Sequence, residues 1–252
     1  MPPRRRPVQS PSAPVPRTAA TASALQDLGP IARFGTLTER VYSHLRELLI
    51  AGRLAPGERL SLRGVAKALG VSIMPVREAV SRLVADRALE VAPNRAVRVP
   101  VMSAARFREL ALLRAEIEGF AAERAATARD GAALRAIAAA ESAFSAEARK
   151  SNPDAARAVA LNRDLHFAIY AAAGMPLLEE TIAGLWLKAG PVLNLDMRAN
   201  PERLRASPAA RLHAAALAAI RAGDGPAARA AIAADIAAAA EFILARGALA
   251  PG

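Results

Sequence analysis

Two groups of side chains in this 252-residue chain have the types and spacing to do chemistry. One is Arg77, at the exposed start of an expected helix, where a guanidinium can donate two parallel hydrogen bonds to the edge of a guanine. The other is Asn162 and His166, four residues apart and therefore on one helical face. They stand in a chain with three histidines, His44, His166 and His213. Imidazole nitrogens bind borderline metal ions, carry protons, or act as hydrogen-bonded core groups. Arg114 and Glu118 repeat the four-residue spacing, which brings opposite charges together along a helix.

The segments around Arg77 define how it is held. Ser61 is a plausible N-cap for a helix with Leu62, Val65, Ala66 and Leu69 on one face, and Gly70 ends it as a left-handed cap. Ser72 can cap the next helix, whose first turn tolerates Pro75 because amides there lack intrahelical acceptors. Val76, Ala79, Val80, Leu83 and Val84 form its apolar stripe, which leaves Ser72, Ile73, Arg77, Ser81 and Arg82 off the buried face. After Asp86 the period switches to two: Leu89 and Val91 on one side of Glu90, Val97 and Val99 on one side of Arg98. The turn cluster from Ala92 to Ala96 makes this a two-stranded hairpin with Arg95 at its tip. Upstream, Thr38 is expected to cap a helix burying Val41, Leu45, Leu48 and Leu49, closed by Gly52 and the turn Pro56-Gly57. Three helices and a wing over residues 36–100 are a DNA-reading arrangement.

Charge follows the same division. The net charge is +11. Residues 1–35 carry five arginines against Asp27, residues 36–100 carry eleven basic against six acidic groups, and the remainder is nearly balanced. A positive field at the DNA-reading end suits a polyanion. The first 35 residues, rich in Pro, Ala, Ser and Thr, read as a disordered basic arm; it either touches phosphates or is an extension without a role. Cysteine is absent, which excludes disulfides and thiolate metal sites. With no apolar run of membrane-spanning length and no signal core after Arg4-Arg5-Arg6, a cytoplasmic location is expected.

From Ser103 the pattern is helical. Helices are expected near 103–128, 131–150, 153–173, 177–198, 207–222 and 224–246, with breaks at Asp130-Gly131, Asn152-Pro153, Gly174-Met175-Pro176, Asn200-Pro201 and Gly223–Gly225. The chain is therefore expected to be mainly α, with a winged helix-turn-helix followed by an antiparallel all-helical bundle over 101–250. The apolar share is dominated by alanine, which favours close helix packing but buries little area per residue.

The run from Leu37 to Val99, and above all Pro75-Val76-Arg77-Glu78-Ala79-Val80-Ser81-Arg82-Leu83, resembles the winged-helix domain of GntR-type bacterial transcription regulators. The helical remainder resembles the FCD effector domain of the FadR subgroup. Gly64 and Ala96 depart from the usual pattern, the first at a cost to the helix start of up to about 1 kcal/mol.

This resemblance implies a dimeric, ligand-responsive regulator, most simply a repressor released from a pseudo-palindromic operator by a small carboxylate effector. It places Arg63, Ser72, Ile73 and Arg77 at the major groove, with Ile73 against a thymine methyl. Arg82 is then a phosphate contact or solvated, and Arg95 enters the minor groove or sits in water. Counting along the FCD pattern adds His213 and Asp235 to Asn162 and His166 as a ligand set for zinc, nickel or manganese; Asp164 falls on the wrong face. The competing role of these residues is a metal-free, hydrogen-bonded core. Arg114 falls where the family places an effector-binding arginine, with the Glu118 ion pair as the competing role. Two readings from other classes are a metal-dependent hydrolase, which the chain supplies with no nucleophile motif or general base, and a non-specific architectural DNA protein, which has no use for a polar set inside a bundle.

Overall fold

The computed structural model describes residues 36–93, 95–128, 130–199, 208–247 and 249. The basic arm, Asn94 of the wing turn and the Asn200-Pro201 break lie outside the described residues. Among those described, nine α-helices and one small sheet follow the order α1 (Leu37–Ile50), β1 (Arg59–Leu60), α2 (Leu62–Leu69), α3 (Ile73–Ala85), β2 (Glu90–Val91) and β3 (Val97–Arg98). Then come α4 (Ala104–Ala128), α5 (Gly131–Ala148), α6 (Ala155–Ala172), α7 (Pro176–Ala199), α8 (Ala209–Ala222) and α9 (Gly225–Ala245).

The N-cap of α1 is Thr36, not Thr38. Thr36-Leu37-Thr38-Glu39 is a capping box: the Thr36 hydroxyl accepts from the Glu39 amide at 3.2 Å, and the Thr36 amide donates to Glu39 Oε2 at 2.8 Å. Thr38, inside the helix, donates its hydroxyl to Glu78 on α3 at 2.7 Å. The expected apolar face is buried, with Val41, Leu45 and Leu49 fully excluded from solvent. Ser61 caps α2 through the Gly64 amide, and Gly70 closes it at φ +64°. Ser72 has the extended backbone of an N-cap, but its hydroxyl makes no capping bond.

The wing is a three-stranded antiparallel sheet in the order β1-β3-β2, a strand more than the hairpin expected. Arg59 pairs with Arg98 and Leu60 with Val97, so the stretch after Pro56-Gly57 extends the sheet and buries Leu60. A two-residue strand is too short to show periodicity. Val91 also differs: it shares the Leu89 side of the strand by alternation, yet Leu89 is buried and Val91 is exposed. Alternation sets the face a side chain takes, not whether anything covers that face.

In the helical domain caps lie at the expected breaks or, for Asp154, one residue beyond the expected Asn152-Pro153. Asp130, Asp154 and Asp224 accept from the first amides of α5, α6 and α9, and Gly174 and Gly223 take left-handed φ values of 66° and 76°. The most extensive packing is α4 against α9. Its buried residues include Ala121, Ala122, Ala125 and Ala126 on one side and Ala228 and Ala231 on the other. This is how an alanine-rich chain makes a core: small side chains let helix axes approach closely. Pro191 lies inside α7, where it removes the amide that would bond the preceding turn. Around it the two domains meet. Asn194 Nδ2 donates to the Ile50 carbonyl at the end of α1, and Arg163 on α6 pairs with Glu47.

Candidate effector site and nucleic-acid interface

The interior of the helical domain gathers polar groups from four helices. His166 comes from α6, His213 from α8, Asp235 from α9, and the pair Arg114 and Glu118 from α4. His166 Nε2 lies 3.2 Å and His213 Nε2 3.4 Å from the same oxygen, Asp235 Oδ2. One ligand atom from each residue falls within 4.8 Å of the others. The two imidazoles meet edge to face with ring centroids 5.1 Å apart, and Phe144 and Trp186 close over them at 4.8 and 5.4 Å.

Burial pushes the Asp235 carboxyl up, but the His213 and His166 rings that face it reverse this and hold it far below the usual carboxylate range. It is an anion facing two nitrogens. Both ring nitrogens of His213 are buried without a hydrogen-bond partner, an expensive state unless another group completes them. The two nitrogen-to-oxygen separations match the edge of a tetrahedron around zinc, roughly 3.3 Å for ligand bonds near 2.0 to 2.1 Å. The donor set therefore fits a borderline divalent ion. Asn162, the fourth expected ligand, is half-buried one turn before His166 on α6; Asp164 is exposed and pairs with Arg163.

Of the two roles open to Arg114, the ion pair is formed. Its Nε donates to Glu118 Oε1 at 2.7 Å and its Nη2 to Oε2 at 3.3 Å, with both residues buried. Its guanidinium carbon lies 4.9 Å from the Trp186 ring centroid. Tyr170 donates to Glu118 Oε2, and its oxygen lies 2.8 Å from His166 Nδ1. Burial and the Glu118 charge push the Tyr170 phenol well above its ordinary value, so it keeps its proton. Tyr170 and Trp186 escaped the sequence reading, which had Glu118 only as the ion-pair partner of Arg114. Tyr170 follows His166 by four residues as His166 follows Asn162, and that spacing was the available signal.

In the winged domain, Arg63, Ser72 and Arg77 are exposed, and Ile73 is half-buried. Met74, not singled out from sequence, is the exposed apolar group at the start of α3, with 55% of its surface accessible. Arg82 is exposed, with its guanidinium 4.4 Å over the Tyr42 ring, and Tyr42 donates to Asp86 at 2.8 Å. Arg95 is exposed at the wing tip with φ +61°, a left-handed turn position for a non-glycine residue.

A helix-turn-helix with an exposed arginine-bearing α3, a basic wing and a separate helical domain with a buried polar centre has direct counterparts. Residues 37–99 match the bacterial regulatory proteins of the gntR family, and residues 109–238 match the FCD domain. The chain belongs to the GntR family. Within it, the chain is 37% identical over 174 residues to the HTH-type transcriptional regulator McbR of Escherichia coli K12, spanning 68% of this chain and 76% of McbR. The solved structure of E. coli McbR superposes with a TM-score of 0.77 at 32% identity, covering 85% of this chain and all of that one. A putative GntR regulator from Rhodococcus sp. RHA1 gives a TM-score of 0.67 at 27% identity, covering 84% of this chain and 99% of its own. This GntR chain is thus a DNA-binding, ligand-responsive transcription regulator with an FCD effector domain, not an enzyme; the hydrolase and architectural readings are not favoured. No helix of the described residues is long and apolar enough to cross a membrane.

Proposed function

We propose that this GntR regulator is a cytoplasmic homodimeric repressor that holds one divalent ion (zinc, nickel or manganese) through His166, His213, Asp235 and Asn162, and releases its operator on binding a small carboxylate. The carrying observation is the buried convergence of two imidazole nitrogens on one Asp235 oxygen, with His213 otherwise unsatisfied. When bound, the ion supplies a Lewis-acidic centre for an anionic ligand. Two neutral imidazoles, one amide and one carboxylate carry a single negative charge, so a divalent ion leaves the site one positive charge in excess, which suits a carboxylate effector. Arg114, paired with Glu118, is tied to the same network through Tyr170, and that ion pair leaves the net charge of the site unchanged.

The response reaches the DNA-binding domain by a short route. Asn162 and Arg163 are adjacent on α6, the first one turn before His166 and the second paired with Glu47 on α1. On α7, Trp186 packs on His166 and Arg114, while Asn194, two turns on, holds the end of α1. A ligand that shifts α6 or α7 shifts the seat of α1, and operator affinity changes by the difference in effector affinity between the two arrangements.

The test is elemental analysis of protein purified without chelator, together with footprinting and sedimentation on an operator selected from random duplex. About one ion per subunit is expected, lost in His166→Ala and His213→Ala because too few good ligands remain. A dimer should protect a pseudo-palindrome with half-sites on one face of the duplex. Absence of metal defeats the metal reading, and a monomer on one asymmetric site defeats the dimer.

A further inference from the structure

We infer that Glu118 and Tyr170 are positioning residues that fix the His166 ring with its proton on Nδ1, leaving Nε2 as the atom offered to a cation. The inference deepens the metal reading and rests on it for the identity of the cation; the proton placement rests on hydrogen bonding alone.

A phenol has one hydrogen. That of Tyr170 points to Glu118 Oε2, and Glu118, fully buried and paired with Arg114, acts as acceptor. Tyr170 therefore has only a lone pair to offer at its 2.8 Å contact with His166 Nδ1, and the proton in that contact belongs to the histidine. With Nδ1 protonated, Nε2 of a neutral ring presents its own lone pair to Asp235 Oδ2 at 3.2 Å. Two acceptors face each other, and the arrangement is stable when a positive centre, a proton or a metal ion, lies between them. A histidine bound to metal commonly donates its second nitrogen to an acceptor that sets ring orientation and tautomer. Here a tyrosine oxygen takes that place, made an acceptor by the carboxylate behind it.

Each link is local. Arg114 and Glu118 are one turn apart on α4, and His166 and Tyr170 are one turn apart on α6. Packing of α4 on α6 joins the two pairs. Trp186 covers both ends of the relay, 4.9 Å from the Arg114 guanidinium and 5.4 Å from the His166 ring.

The experiment uses the full chain, with zinc alone as probe. Zinc affinity is read by competition with a chromophoric chelator, and the His166 ring nitrogens by long-range 1H–15N NMR. The wild type should show a proton on Nδ1 and a zinc-shifted Nε2. Tyr170→Phe should bind zinc about 10- to 100-fold more weakly, the usual cost of losing such an outer partner, while keeping its helical circular dichroism. Zinc affinity indistinguishable from wild type in a folded Tyr170→Phe overturns the inference, as does a wild-type Nδ1 without a proton or bound to zinc. If the wild type takes up no zinc, the metal reading falls. The metal-free His166 ring still decides the inference: a proton on Nδ1 supports it and a bare Nδ1 overturns it.

Discussion

Two glycines on α7 make a matched pair for testing how the DNA-binding domain is seated. A Cβ built on Gly190 would lie 2.6 Å from the Ile50 carbonyl oxygen, and 2.7 Å from both Ile50 Cα and the Leu49 oxygen; one on Gly184 meets nothing within 4 Å. Both positions are helical, so alanine gains about 1 kcal/mol of helix propensity at either. At Gly190 that gain is outweighed. The methyl needs contacts of at least 3.4 Å, so the end of α1 must retreat by roughly 0.8 Å, and the obstacles are backbone atoms that cannot rotate away. Overpacking of this kind costs about 1 to 3 kcal/mol, and displacing Ile50 also strains its bond from Asn194, worth about 0.5 to 1.5 kcal/mol. Gly190→Ala should therefore destabilise by a net amount of about 1 to 3 kcal/mol, and Gly184→Ala should stabilise by up to about 1 kcal/mol. Trp186, the sole tryptophan and one turn from Gly190, reports urea unfolding by its fluorescence, and an unchanged m-value licenses the comparison. If Gly190→Ala matches Gly184→Ala or exceeds the wild type, the close seat of α1 on α7 is wrong.

Two further predictions rest on separate parts of the molecule. Arg77→Ala should cost about 1 to 3 kcal/mol on a selected operator and much less on random duplex, measured by competition anisotropy; equal losses would assign Arg77 to phosphate. Glu147 accepts from Lys150 Nζ at 2.6 Å and from the Asp154 amide at 2.8 Å, and in that order these bonds hold its carboxyl below the ordinary 4.5. Because the folded value is depressed, its stabilisation is complete above the ordinary value and lost as pH falls through the folded one. The stability gap between wild type and Glu147→Gln should therefore be widest at neutral pH and shrink on acidification, and a gap constant with pH in urea titrations would refute it.

Local signals carried most of the fold. Asp130, Asp154, Gly174, Gly223 and Asp224 mark helix ends in the sequence and act there because each solves a local problem of unpaired amides or a left-handed turn. The errors are local too. Thr36 and Thr38 both precede the apolar face of α1, and Glu39 selects between them, since a capping box needs its carboxylate three residues after the hydroxyl. β1 went unread because two residues leave no period to detect; it exists only because Leu60 finds Val97.

The buried centre was legible for a different reason. The four-residue steps Asn162 to His166 and Arg114 to Glu118 put each pair on one face, but spacing within a helix cannot say which face turns inward or what it meets. His213 and Asp235 were reachable only by resemblance, because helix packing rather than sequence distance joins them to His166. That packing also settles Arg114. An arginine and glutamate one turn apart could sit loosely in solvent, where the pair is worth little; under Trp186, with Tyr170 on the second carboxylate oxygen, neither charge can leave without stranding the other. The domain seat lay beyond sequence reading altogether. Asn194 and Ile50 are 144 positions apart, and nothing in the helix expected over 177–198 explains Gly190 until α1 is seen to require a residue with no side chain at that point. A Gly-Pro step inside a long helix is thus better explained by what packs against it than by an ending, and in this chain the helix that packs against it is the one that carries the DNA-binding domain.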